Sequence, residues 1–88
     1  MAHFARINGT TVIDVHVLDN AVITNGEGIE EDALGQAFLS DLWGGIPTDY
    51  LRASYTGAVR GCYPGVGYAY DPVRDVFIPP AAPAAVAP

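Results

Sequence analysis

Asn8-Gly9, set between "AHFARI" and "TTVIDVHVL", limits what this chain can fold into more than any other dipeptide in it. A type I′ turn needs two residues at positive φ, and Asn-Gly tolerates that best, so the pair predicts an antiparallel hairpin. Read as a two-residue turn, it also sets a register. Ile7 faces Thr10, Ala5 faces Val12, Phe4 faces Ile13 and His3 faces Asp14. Phe4, Ile13, Val15 and Val17 then share one face, and Asp14 and His16 lie on the other.

The next segments extend that plan. Residues 21–23, Ala-Val-Ile, fit either a bent continuation of the strand or a short edge strand, and residues 25–28 read as a loop. Residues 29–43 read as a helix. Glu30, Glu31 and Asp32 fall in its first turn, where the helix dipole favours acids. Leu34, Phe38 and Leu42, spaced by four, form its apolar row, and Gly44-Gly45 with Pro47 ends it. Residues 49–78 read as three or four short strands punctuated by Thr56-Gly57, Tyr63-Pro64-Gly65 and Asp71-Pro72. At the last of these, Asp71 can accept backbone N–H groups and Pro72 presets a turn. Residues 79–88, "PPAAPAAVAP", are low in complexity and favour extended, polyproline-like backbone. The expected fold is α+β. It has a small antiparallel sheet (N-terminal hairpin plus C-terminal meander), one helix on one face, a single domain over 1–78 and an extended Ala/Pro tail over 79–88.

Composition bounds the function. A domain of about 78 residues buries only roughly 60–65% of its unfolded surface. The single cysteine, Cys62, excludes an intrachain disulfide. Stability of so small an unstapled body gains from a partner, which points to self-association or assembly. The net charge is −6, with four arginines and no lysine, which argues against nucleic acid and against anionic membrane surfaces. The apolar runs are too short for a membrane span, and "MAHFARING" lacks the apolar core of a secretory leader.

The chemistry-bearing residues are sparse. His3, His16 and Asp14 read as cross-strand polar neighbours, because a metal site would need further ligands. Cys62 has Arg60 two positions away but no evident activating base, so it reads as a small half-buried strand residue. The acids at 30–32 are explained by the helix start, and "GVGYAY" leads into no helix and is no phosphate loop. No catalytic, cofactor or metal residue is named on these grounds, and the expectation is a protein that is not an enzyme. The aromatic set Tyr50, Tyr55, Tyr63, Tyr68, Tyr70 and Phe77 is too large to be wholly interior in a body this small. Tyr63, Tyr68, Tyr70 and Phe77, with Trp43, Pro79 and Pro80, are the candidate interface residues.

Two blocks carry a family resemblance. The opening "MAHFARI" followed by "VIDVHVLDN", and the later "RASYTG … VRGCYPGVGYAYDPVRDVFIPP", resemble small structural proteins of tailed bacteriophages, best known from phages of cyanobacteria and other aquatic bacteria. That family begins Met-Ala-His-Phe-Ala, continues through a helix and a Ser-Tyr turn, and closes with a glycine-tyrosine hairpin ending Phe-Ile-Pro-Pro. The matching positions here are 1–5, Ser54-Tyr55, 65–71 and 77–80. Relatives often continue with charged residues and a tryptophan, where this chain has Ala/Pro, and often carry basic or amide residues near Cys62. The resemblance implies a virion component that decorates or cements the capsid. Its partners would be the major capsid protein or other virion subunits, with self-association in the assembly. It would be assembled in the host cytoplasm. A tail, neck or baseplate location, or a non-virion module acting on a host protein, are the alternatives.

Overall fold

The computed structural model of the protein describes residues 1–80. The expected extended structure of residues 81–88 lies outside the described part. Five strands form one antiparallel sheet: β1 (Ala2–Asn8), β2 (Thr11–Leu18), β3 (Tyr50–Ala53), β4 (Ala69–Asp71) and β5 (Val76–Ile78). Two helices lie between β2 and β3: α1 (Asn20–Ile23) and α2 (Asp32–Trp43). The α+β class, the antiparallel sheet and the main helix on one face are as the residue pattern predicts.

The strand order is β3-β1-β2-β4-β5. The C-terminal strands therefore divide around the N-terminal hairpin instead of lying side by side. β3 pairs with β1, and β4 pairs with β2 through Thr11 and Ala69. The segment between β3 and β4 forms turns and no strand, and it carries the chain from one side of the hairpin to the other.

The hairpin forms, but its register differs from the expected one. The two central turn residues are Gly9 and Thr10, with Asn8 paired to Thr11. Gly9 has φ +65 and Thr10 does not share the positive value, the pattern of a type II′ turn with glycine first. A bulge follows between Arg6 and Ile7, so Ile7 faces Val12 while Arg6 faces Asp14 and Ile13 is the extra residue. Phe4 then faces His16, and His3 faces Val17, not Asp14. Ala2, Phe4, Leu18 and His16 share the face beneath α2. Ile7, Val12, Ala5 and Val15 share the opposite face.

Each face has its own core. Under α2, Ala2, Phe4, Leu18, Ile23, Leu39 and Tyr50 form one buried cluster. On the other face Ala5, Val12, Ala53 and Phe77 form a second, flanked by half-buried Tyr68 and Tyr70 among others. Residues 20–23 are helical where a strand was expected, because the Asp19 carboxylate accepts the Ala21 N–H at 3.0 Å and caps a turn that seats Ile23 in the first core.

Arg60 joins the two edges of the sheet. Its Nη1 donates to the Arg52 carbonyl on β3 at 2.9 Å, and its own carbonyl accepts from the Phe77 N–H on β5 at 2.9 Å. Its Nε also donates to Asp75 at 2.9 Å. The second core, which takes Ala53 from β3 and Phe77 from β5, is enclosed by that closure. Arg60 itself sits at φ +56, a left-handed conformation that non-glycine residues adopt at some cost. Replacing it with alanine removes the guanidinium contacts and keeps the strain, and is expected to cost about 1–3 kcal/mol. Arg60→Gly should lose less, by roughly 1 kcal/mol, because glycine is at ease in that conformation. Urea unfolding of both variants checks the order.

Gly35 sets how closely α2 approaches the sheet. A Cβ there would lie 2.5 Å from the Phe4 ring and 2.9 Å from the Ile23 side chain. Although alanine is the better helix former by about 1 kcal/mol, Gly35→Ala is expected to destabilise by a net 1–2 kcal/mol, roughly, through overpacking. Thermal denaturation measures this directly.

Candidate functional site

α2 faces the sheet along an i, i+4, i+7, i+11 stripe that is polar at its start. Asp32 binds Arg52 of β3 at 3.1 Å, and the Gln36 amide donates to the Tyr50 carbonyl at 2.7 Å. Leu39 is buried, and Trp43 stacks on His16 of β2 with ring centroids 5.5 Å apart. The row expected to face the core points outward instead. Leu34, Phe38 and Leu42 are 37%, 42% and 61% exposed, and Trp43 is 57% exposed despite its contact with His16. Ile29 before the helix and Ile46 after it are exposed as well. Isolated exposed apolar residues are ordinary, but a run of them along one helix marks a contact surface.

A second surface lies at the end of the sheet where His3, Val17 and Ala53 stand level across three strands. The rings of Tyr55 and Tyr63 stack with centroids 4.5 Å apart, and both meet the edge of the His3 imidazole, at 4.5 and 5.5 Å. Tyr55 is 72% exposed, so the stack is open to solvent on one side. Beside it is an open cleft of about 440 Å³, walled in part by His3, Val17, Ala53, Ser54 and Tyr55.

The electrostatics of the body are settled internally. Arg52 pairs with Glu30 and Asp32, Arg60 with Asp75, and Arg74 with Asp71 at 2.8 Å. Arg6 donates to the Trp43 carbonyl at 3.3 Å and lies over the Tyr50 ring. All four arginines are thus engaged, and the remaining acids give the surface its negative sign. Among the described residues one buried side-chain polar atom lacks a partner, Nε2 of His16, whose nearest charge is the Asp14 carboxylate at 3.7 Å. No group of three or more potential metal ligands occurs among the described residues, and no helix there is long and apolar enough to cross a membrane.

The candidate interface residues are not brought together. Trp43 belongs to the helix surface and Tyr63 to the aromatic end. Tyr68 and Tyr70 are half-buried over the second core, with the Tyr70 hydroxyl donating to Asp75. Phe77 is 3% exposed and is core, so its ring offers no surface. Pro79 and Pro80 are exposed beyond β5. Cys62 is half-buried outside any strand, its Sγ donating to the Phe77 carbonyl at 3.3 Å. Leu34, Phe38, Leu42 and Tyr55 were not singled out as surface. The signal that finds the first three is Gly35 with Leu39: one residue without a side chain, four before a large apolar one, marks the closely approached side of the helix.

No protein-family model matches the chain, and neither the curated proteins nor the solved structures contain a match.

Titration shifts follow the packing. Burial lowers the His3 pKa below its ordinary 6.5, and the positive chain terminus and Arg52 add to that. The Tyr70 hydrogen bond holds Asp75 below the usual carboxylate range, and the Arg74 hydrogen bond does the same for Asp71. His3 is therefore neutral in the fold where an unfolded chain would take up a proton. Stability rises with pH wherever the unfolded chain binds more protons. It should thus fall as the pH drops from about 6.5 towards the lowered folded value, and His3→Gln should flatten that slope. The contributions of Asp71 and Asp75 are full above their ordinary 3.8 and disappear only in stronger acid. Urea midpoints from pH 8 down to about 5 isolate the histidine, because the carboxylates titrate below that window.

Proposed function

We infer that the chain is a structural protein of a bacteriophage virion that decorates the capsid by binding across its subunits. The observation that carries the binding role is the outward apolar row of α2. The phage context rests on the resemblance of the opening and closing blocks, which form β1 and β4–β5 with their flanks. A body whose arginines are all engaged internally presents an apolar stripe within an acidic surface. Such a surface suits a partner with an apolar groove and a basic rim, and disfavours pairing of like with like. Fully burying one Leu or Phe side chain is worth about 1.5–3 kcal/mol. Covering four half-exposed ones gives several kcal/mol, roughly, before association costs. Repeated over many equivalent sites, such contacts stiffen a shell without any chemistry. The role is one of binding, without catalysis or cofactor.

Quantitative mass spectrometry of purified particles tests the reading. Copy numbers comparable to the major capsid protein are expected. A few copies per particle would move the protein to the tail, neck or baseplate, and absence would remove it from the virion. Phe38→Glu and Leu42→Glu carry the same test to the stripe. Both sites are exposed, so stability should stay within about 0.5 kcal/mol of the parent. Rebinding to particles stripped of the protein should fall at least about tenfold, the equivalent of 1.4 kcal/mol.

A further inference from the structure

The cleft beside the Tyr55–Tyr63 stack has no carboxylate on its wall, in a protein of net charge −6. Its walls combine apolar side chains with the hydroxyls of Ser54 and Tyr55 and the imidazole of His3. That chemistry suits an uncharged segment rich in carbonyl acceptors and poor in N–H donors. Proline-rich backbone is of this kind, and it docks on aromatic-lined grooves because its stiffness leaves little entropy to lose.

The strand directions point such a segment at the cleft. β5 runs the same way as β2, because each is antiparallel to β4, and Ile78, Ala69 and Thr11 stand level. β3 also runs that way, and its last residue Ala53 stands level with His3 and Val17. The chain leaving β5 is therefore headed for the end of the sheet where the cleft lies. From the level of Thr11 to that of Val17 is about 20 Å at strand spacing. Residues 79–88 can span about 30 Å at the 3.1 Å per residue of polyproline. Laterally the two sites are neighbours. Arg60 ties Phe77 to Arg52, next to the cleft, and Cys62, bonded to the Phe77 carbonyl, is followed directly by Tyr63 of the stack. Residues 79–88 carry four prolines and no charge, so burying them desolvates no ion.

We propose that residues 81–88, led out by Pro79 and Pro80, fold back as an intramolecular strap onto the His3–Tyr55–Tyr63 cleft of their own chain. The inference does not depend on where the protein is used, and the isolated full-length chain tests it. In solution NMR the methyl groups of Ala81, Ala82, Ala84, Ala85 and Val86 should show contacts to the Tyr55, Tyr63 and His3 rings, unchanged across a wide dilution series. Tyr55→Ala, at an exposed position, should abolish those contacts and bring residues 81–88 to the relaxation behaviour of a free chain. Ala82→Glu/Ala85→Glu, which leaves the body untouched, should shift the Tyr55 and Tyr63 ring resonances and leave those of Phe38 in place. The proposal is overturned by missing contacts in the parent chain, by ring resonances insensitive to the double substitution, or by contacts that fade on dilution and so belong to a second copy.

Discussion

A five-stranded sheet leaves two rows of backbone groups without strand partners, and at this chain length a bare edge is both a loss of stability and an invitation to aggregate. Here the bonds of Arg60 to the Arg52 carbonyl and the Phe77 N–H meet both rows at once. The Gln36 amide takes the Tyr50 carbonyl, and the Cys62 thiol takes the Phe77 carbonyl. The consequence reaches past edge protection. With β3 and β5 tied, Ala53 and Phe77 close over Ala5 and Val12, and the face away from α2 becomes an interior. A left-handed arginine is the cost of that closure, and it holds because three bonds fix the residue at once.

The first core obeys a different constraint. Gly35 lets α2 lie against Phe4 and Ile23, and the close approach draws Asp32 and Gln36 onto β3 and Trp43 onto His16. Polar contacts therefore hold both flanks of the helix, with Leu39 as the buried side chain between them. The longer apolar row has no place on that side. Leu34, Phe38 and Leu42 are left outside by geometry, because a helix can lie close along one line only, and the small residue decides which.

The parts of this fold that were legible in the sequence are those governed by local chemistry. Asn8-Gly9 announced the hairpin, Asp71-Pro72 the last turn, where Asp71 does accept the N–H groups of Val73 and Arg74, and Gly44-Gly45 the end of α2. What was not legible depends on packing at a distance. The bulge that extrudes Ile13 inverts the expected faces of β2, and a one-residue slip is invisible when residues 12, 13, 15 and 17 are all β-branched. The side chosen by α2 was hidden because periodicity counts apolar side chains, while the contact was set by the absence of one at Gly35. The open Tyr55–Tyr63 stack was within the aromatic set but could not be told from the buried Tyr50, since composition does not sort rings by depth.

Both outward surfaces follow from one shortage. Half of the chain is apolar, and a body of this size has interior for only part of it. In most small proteins the excess is scattered singly over the surface. Here the two closures sort it. The Gly35 contact sends one share to the far side of α2, and the Arg60 seam gathers another at the end where Tyr55 and Tyr63 stack. The first lies on a helix outside the sheet and the second at the open end of the seam. They share no side chain, so substitutions in one should act independently of the other. A partner could then cover the helix row while the aromatic end is closed by something else, and occupying one would not compete with occupying the other.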